Sequence, residues 1–182
     1  MDYWKALDHG RVAPAMRPVD KRILRVLKNT LCVAELGPGA SPYYHLIGES
    51  VAWRLAFRRD GDVKFSSCWS QDDSDEISYF FWQAAEDCRP FYYLSDGDDC
   101  FGDTHVFETL WLPLSFGELT ARAFLGVSNS LCDSRYPPGP LVDVERLTLI
   151  QWVGAASGAG IQSVSGAPHR GHLRLVASNE YA

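Results

Sequence analysis

What this sequence lacks narrows it first. No run of basic residues is longer than the pair Arg58-Arg59, and Asp60 follows it at once. With a net charge of −6, the chain offers no basic face to neutralise a nucleic-acid backbone, so no nucleic-acid partner is expected. The five cysteines, at 32, 68, 88, 100 and 132, form no C-x-x-C pair. An odd number at irregular spacing fits neither a disulfide framework nor a zinc site. No apolar stretch approaches the length needed to span a bilayer. The opening Met1-Asp2-Tyr3-Trp4-Lys5 carries no signal-peptide pattern. Together these lead to the expectation of a cytoplasmic protein with reduced thiols and no tightly bound metal or cofactor. G-x-S-x-G, G-x-x-x-x-G-K-[ST] and G-x-G-x-x-G are all missing, so neither a nucleophile elbow nor a phosphate loop has support.

What is present suits an ordinary folded domain. Hydrophobic residues make up 46% and charged residues 22% of 182 residues, enough for one core and a tail. Six Trp among 13% aromatics mean that bulky rings dominate the interior.

The clearest periodic signal lies at 71–88. Ile77, Phe80, Phe81, Ala84, Ala85 and Cys88 fall on one helical face. Asp72, Asp73, Asp75 and Glu76 crowd the start, where negative charge suits the helix dipole. Residues 3–8 read as a short helix and 18–28 as a second one, with Pro18 at its first turn. Residues 31–47 read as a hairpin around Gly37-Pro38-Gly39, and 49–58 as a short helix. A strand is expected at 91–94, then a polar loop at 95–104. Two further strands, roughly 105–115 and 119–128, pair as a second hairpin. Pro137-Pro138-Gly139-Pro140 marks a boundary. Residues 1–135 are expected to form the domain, and 136–182 a C-terminal extension. Within that extension 141–153 is apolar enough to pack back, and the Gly/Ser/Ala-rich 154–171 reads as flexible.

The order helix, strand, strand, short helices, long helix, strand, strand, strand resembles a PAS sensor domain. Within that fold the chain is similar to stand-alone bacterial PAS proteins of the alphaproteobacterial type. The residues that carry the resemblance are Tyr3-Trp4, Pro18-Val19-Asp20, Tyr44-His45-Leu46-Ile47-Gly48, the aspartate-rich start of the long helix, and Leu112-Pro113-Leu114. His45 stands where that family has Arg, and Phe57-Arg58-Arg59-Asp60 replaces a Gly-Arg-acidic pattern. The resemblance implies an α+β, PAS-like fold: a five-stranded antiparallel sheet with helices packed on one face. It also implies a sensory or regulatory module that binds a protein partner and is gated by a small ligand. It carries no catalytic residues. The alternative is a small cavity-containing α+β enzyme acting on a small molecule.

No His lies within 49–58 or 71–88, which disfavours an axial haem ligand. Cys68, in Ser66-Ser67-Cys68-Trp69-Ser70, lacks the polar context of a flavin-adduct cysteine. In the acidic stretch from Asp96, Cys100, Phe101 and Phe107 stand at the fifth, sixth and twelfth positions of a calcium loop, so the EF-hand pattern fails. The remaining candidates for a ligand site are Tyr44, His45, Trp53, Phe57, Cys68, Trp69, Phe81 and Trp111. Such rings line a cavity or simply fill a core, and the sequence leaves both open. A homodimer is expected through Trp4, Leu7, Phe107, Trp111 and Phe124, on the reading that the last three face away from the helices. Trp111 is thereby assigned to both roles.

Overall fold

The computed structural model describes residues 25–37, 41–55, 63–114, 122–131 and 138–153. In chain order they form β1 (Leu31–Leu36), β2 (Pro42–Ile47), α1 (Glu49–Arg54), the two-residue β3 (Val63–Lys64), a 3₁₀ turn (Phe65–Cys68), α2 (Gln71–Asp87), β4 (Phe91–Asp98), β5 (Thr104–Leu114), β6 (Ala123–Ser130) and β7 (Arg146–Trp152). The fold is α+β. One sheet takes the spatial order β3-β2-β1-β6-β5-β4-β7, antiparallel at every pairing.

Five strands were expected and seven are found among the described residues. The additions are the short β3 and, at the other edge, β7. β7 runs beside β4 from Phe91 opposite Trp152 to Asp96 opposite Arg146. The segment expected as an extension therefore supplies an edge strand of the same sheet. Residues 154–182 and the expected helix at 3–8 lie outside the described residues, as do Trp4, Leu7 and Phe57.

α2 forms where the periodicity places it. Ser70 caps it by accepting from the Asp73 backbone N–H at 3.2 Å. Cys88 ends it in the left-handed region, φ 50°, and Pro90 prevents continuation. Its buried face, Ile77, Phe81, Ala84 and Ala85, lies on the sheet. There Phe81 meets Phe124 at 4.8 Å and Trp111 at 5.0 Å between ring centroids. Tyr44, Phe65, Trp69, Phe91 and Tyr93 complete the same cluster.

This packing reverses one expectation. Phe107, Trp111 and Phe124 are at most 1% exposed, and Trp111 and Phe124 lie beneath α2. They face the helices, not solvent or a second chain. The physical reason is that both faces of β5 carry apolar residues. Alternation defines two faces but does not say which one the helix covers. Leu112 and Leu114 belong to a smaller cluster with Leu31, Val33, Ala123 and Leu125.

The polar loop expected at 95–104 is also different. Residues 95–98 continue β4, and the chain reverses over Asp99–Asp103. Ser95 and Gly97 face inward. At Gly97 an added Cβ would sit 2.8 Å from Leu141 Cδ1. Asp96 and Asp98 face outward and pair with Arg146.

Gly126 has a comparable role in β6. It lies opposite Trp111, and a Cβ there would sit 2.5 Å from the indole Cζ3. Gly126→Ala is expected to lower stability by about 1–3 kcal/mol, because a rigid ring in a filled core must shift. Urea unfolding of the variant checks this: a loss below about 0.5 kcal/mol would mean that the ring relocates freely.

Candidate ligand cleft

Polar residues that interrupt the apolar core face build this site. Thr109 stands between Phe107 and Trp111 on β5, Ser128 follows Gly126 on β6, and Ser95 follows Tyr93 on β4. All three are buried. Arg54, in the last turn of α1, reaches in to join them. Its Nη1 and Nη2 both donate to Ser128 Oγ at 3.1 Å, and Ser128 Oγ is 2.8 Å from Thr109 Oγ1. The guanidinium carbon lies 4.0 Å above the centre of the Phe107 ring, a cation–π contact made stronger by desolvation.

The charge is balanced by Glu145, just before β7. Its Oε1 lies 2.7 Å from Arg54 Nε, with the side chains 1% and 7% exposed. The contact falls off the line of the N–H, so it is ionic more than directional. Ser95 Oγ donates to Oε2 at 2.9 Å. Backbone bonds reinforce the link: Glu145 N–H donates to Cys68, and Leu141 N–H to Arg54 itself.

A cleft of about 530 Å³ opens beside this network. α1 contributes Glu49, Ser50, Val51, Trp53 and Arg54 to its wall. Phe107, Ser128, Asn129 and Ser130 come from β5 and β6, with Thr30 and Pro138 at the rim. Its size suits a small organic ligand. A second, smaller cleft of about 290 Å³ lies between the 3₁₀ turn and residues 141–144, with Cys68 on its wall.

The expected ligand residues do not converge. Tyr44, Trp69, Phe81 and Trp111 are at most 5% exposed and fill the core with rings at centroid distances of 4.8–6.2 Å. His45 is exposed on β2. Trp53, 60% exposed, lines the larger cleft, and Cys68 the smaller one. Arg54, Ser128 and Glu145 were missed. The available signal was a small polar residue between large apolar ones on the same strand face, Thr109 between Phe107 and Trp111.

The buried thiols are not poised as nucleophiles. Burial pushes the Cys68 thiol up to about 12, and the Glu145 carboxylate adds to the rise. Burial likewise raises Cys32 to about 11. Both stay protonated at neutral pH. Among the described residues no group of three His, Cys, Asp or Glu side chains is placed to hold a metal ion. Nor is any helix among them long and apolar enough to cross a membrane.

A second buried pair closes the β4–β5 turn. His105 Nε2 is 2.9 Å from Asp99 Oδ2, and Asp99 also accepts from the backbone N–H groups of Phe101, Asp103 and Gly139. Burial alone would raise this carboxyl. The bonds from His105 and the three backbone groups outweigh it and hold Asp99 at about 2. The folded value lies below the unfolded one, so the unfolded chain takes up the proton more readily. The stabilisation is complete above about pH 4 and is lost as pH falls toward 2. Asp99→Asn is therefore expected to flatten the pH dependence of stability between pH 4 and 2. Parallel curves for variant and wild type in that window would exclude this role for Asp99.

No protein-family model matches the chain, and comparison with curated proteins finds no similar sequence.

Proposed function

We propose that this chain is a sensory or regulatory module of the PAS kind, in which a small ligand in the Arg54 cleft controls binding to a protein partner. The order of elements supports the reading: a strand pair, short helices, one long helix, then β4, β5 and β6 as an antiparallel meander. The observation that carries it is the double engagement of Arg54. The same guanidinium lines the cleft and holds Glu145, the residue that leads into edge strand β7. A ligand that moves Arg54 perturbs the attachment of β7 without any long pathway. Four described cysteines are free, which suits action in the reducing cytoplasm.

The enzyme alternative is less well supported. The buried polar groups beside the cleft bond to one another, and burial holds the Cys32 and Cys68 thiols neutral. Native mass spectrometry of the purified chain tests the proposal. A defined small molecule should be retained by the wild type and lost in Trp53→Ala. A wild type that carries none, and whose Tm no member of a small-metabolite panel raises, would remove the ligand-gated reading. Turnover of a panel compound would favour the enzyme.

A further inference from the structure

We infer that the outer seam of α2 is a docking surface for a basic amphipathic helix of a partner protein. Asp72, Asp75, Tyr79, Trp82 and Glu86 are all exposed and follow one another at alternating intervals of three and four. This is the spacing that presents a single stripe to a second helix. The middle of the stripe is aromatic. Tyr79 is 57% and Trp82 43% exposed, with ring centroids 6.2 Å apart. Exposed Trp and Tyr at the centre of a polar rim are the usual anchors of an interface.

The ends of the stripe define the occupant. α2 carries six carboxylates and no basic side chain, a formal charge equal to that of the whole chain. Acids at the start suit the helix dipole, but Glu86 and Asp87 sit in the last turn, where negative charge is unfavourable and no basic residue of the turn offsets it; Arg89, just past the helix, lies over the Trp152 ring. Helix stability does not explain them; cationic groups on a partner would. A second copy of α2 would set acid against acid in either orientation, so self-pairing is disfavoured. The fitting partner has apolar residues opposite Tyr79 and Trp82, and Lys or Arg roughly 6 Å beyond them on both sides, one turn along. The inference rests on the proposed function only for the existence of a protein partner.

The probe is a synthetic peptide of about 20 residues, long enough to be helical alone. Leu occupies its central seam and Lys both ends; a control peptide has Glu in place of each Lys. Titration into the ¹⁵N-labelled full chain should shift amides of 72–87, and the control should shift none. Trp82→Ser, at an exposed position, should keep the wild-type Tm and bind the Lys peptide at least tenfold more weakly. The pair Asp75→Asn and Glu86→Gln should do the same at low salt, with a smaller deficit at high salt. No binding, shifts centred on the acidic 96–103 hairpin, or undiminished binding by Trp82→Ser would each overturn the inference. So would a wild-type dimer in sedimentation that Trp82→Ser converts to monomer, since the occupant would then be a second copy. Trp53→Ala should leave the titration unchanged, and a wild type that retains no small molecule yet binds the Lys peptide would count against the cleft and not against this seam.

Discussion

Glu145→Ala is expected to destabilise the chain by about 3–5 kcal/mol, although Glu145 is not itself a member of the apolar core cluster. The carboxylate is 1% exposed and neutralises a guanidinium that is itself 7% exposed. Removing it leaves a buried positive charge whose remaining partners are Ser128 and the Phe107 ring. A hydroxyl and a ring face stabilise a cation far less than a carboxylate at 2.7 Å does. Arg54→Ala should be comparably damaging, since it strands the carboxylate with Ser95 alone. The pair Arg54→Met with Glu145→Leu should lose less than either single change, because no charge is then left buried and unpaired. Urea unfolding of the wild type, Arg54→Met, Glu145→Leu and their combination forms a double-mutant cycle. Additive losses would show that the two side chains act independently, and the link from cleft to β7 would fall with that result.

The sequence revealed most where the signal was local. α2 was legible because its apolar positions recur every turn and its acidic start and terminating Pro90 agree. The strand pairs 31–47 and 105–128 were legible through turn residues and alternation. The facing of β5 was not, because Val106, Leu110 and Leu112 compete with Phe107 and Trp111, and only the seat of α2 decides between them. β4 was read too short because Ser95, Asp96, Gly97 and Asp98 look like a loop. They continue as strand because Glu145, Arg146 and Leu141 come from the distant β7 segment to satisfy or cover them. The site failed for the same reason. Arg54 sits on a helix with ordinary apolar spacing, and Glu145 lies beyond a proline-rich boundary. No local pattern links them; the fold of the sheet does.

Phe81→Ala is the second large expected effect, about 3–5 kcal/mol, and it separates a filled core from a ligand cavity. Phe81 is fully buried and touches rings on every side: Phe65 at 5.3 Å, Phe91 at 5.1 Å, Trp111 at 5.0 Å and Phe124 at 4.8 Å. Three of these meet it edge to face or nearly so, the arrangement in which ring quadrupoles attract. A ring lining an empty space would lack partners on one side and lose correspondingly less on truncation. Large neighbouring rings held by the sheet cannot collapse fully into the gap, so the cost should fall toward the upper part of the range. Phe81→Leu, which retains most of the volume, should recover much of the loss. Denaturant unfolding of both variants decides the matter. A loss of about 1 kcal/mol or less for Phe81→Ala would mean that the interior beneath α2 is open, and would return Phe81 and Trp111 to the wall of a ligand cavity.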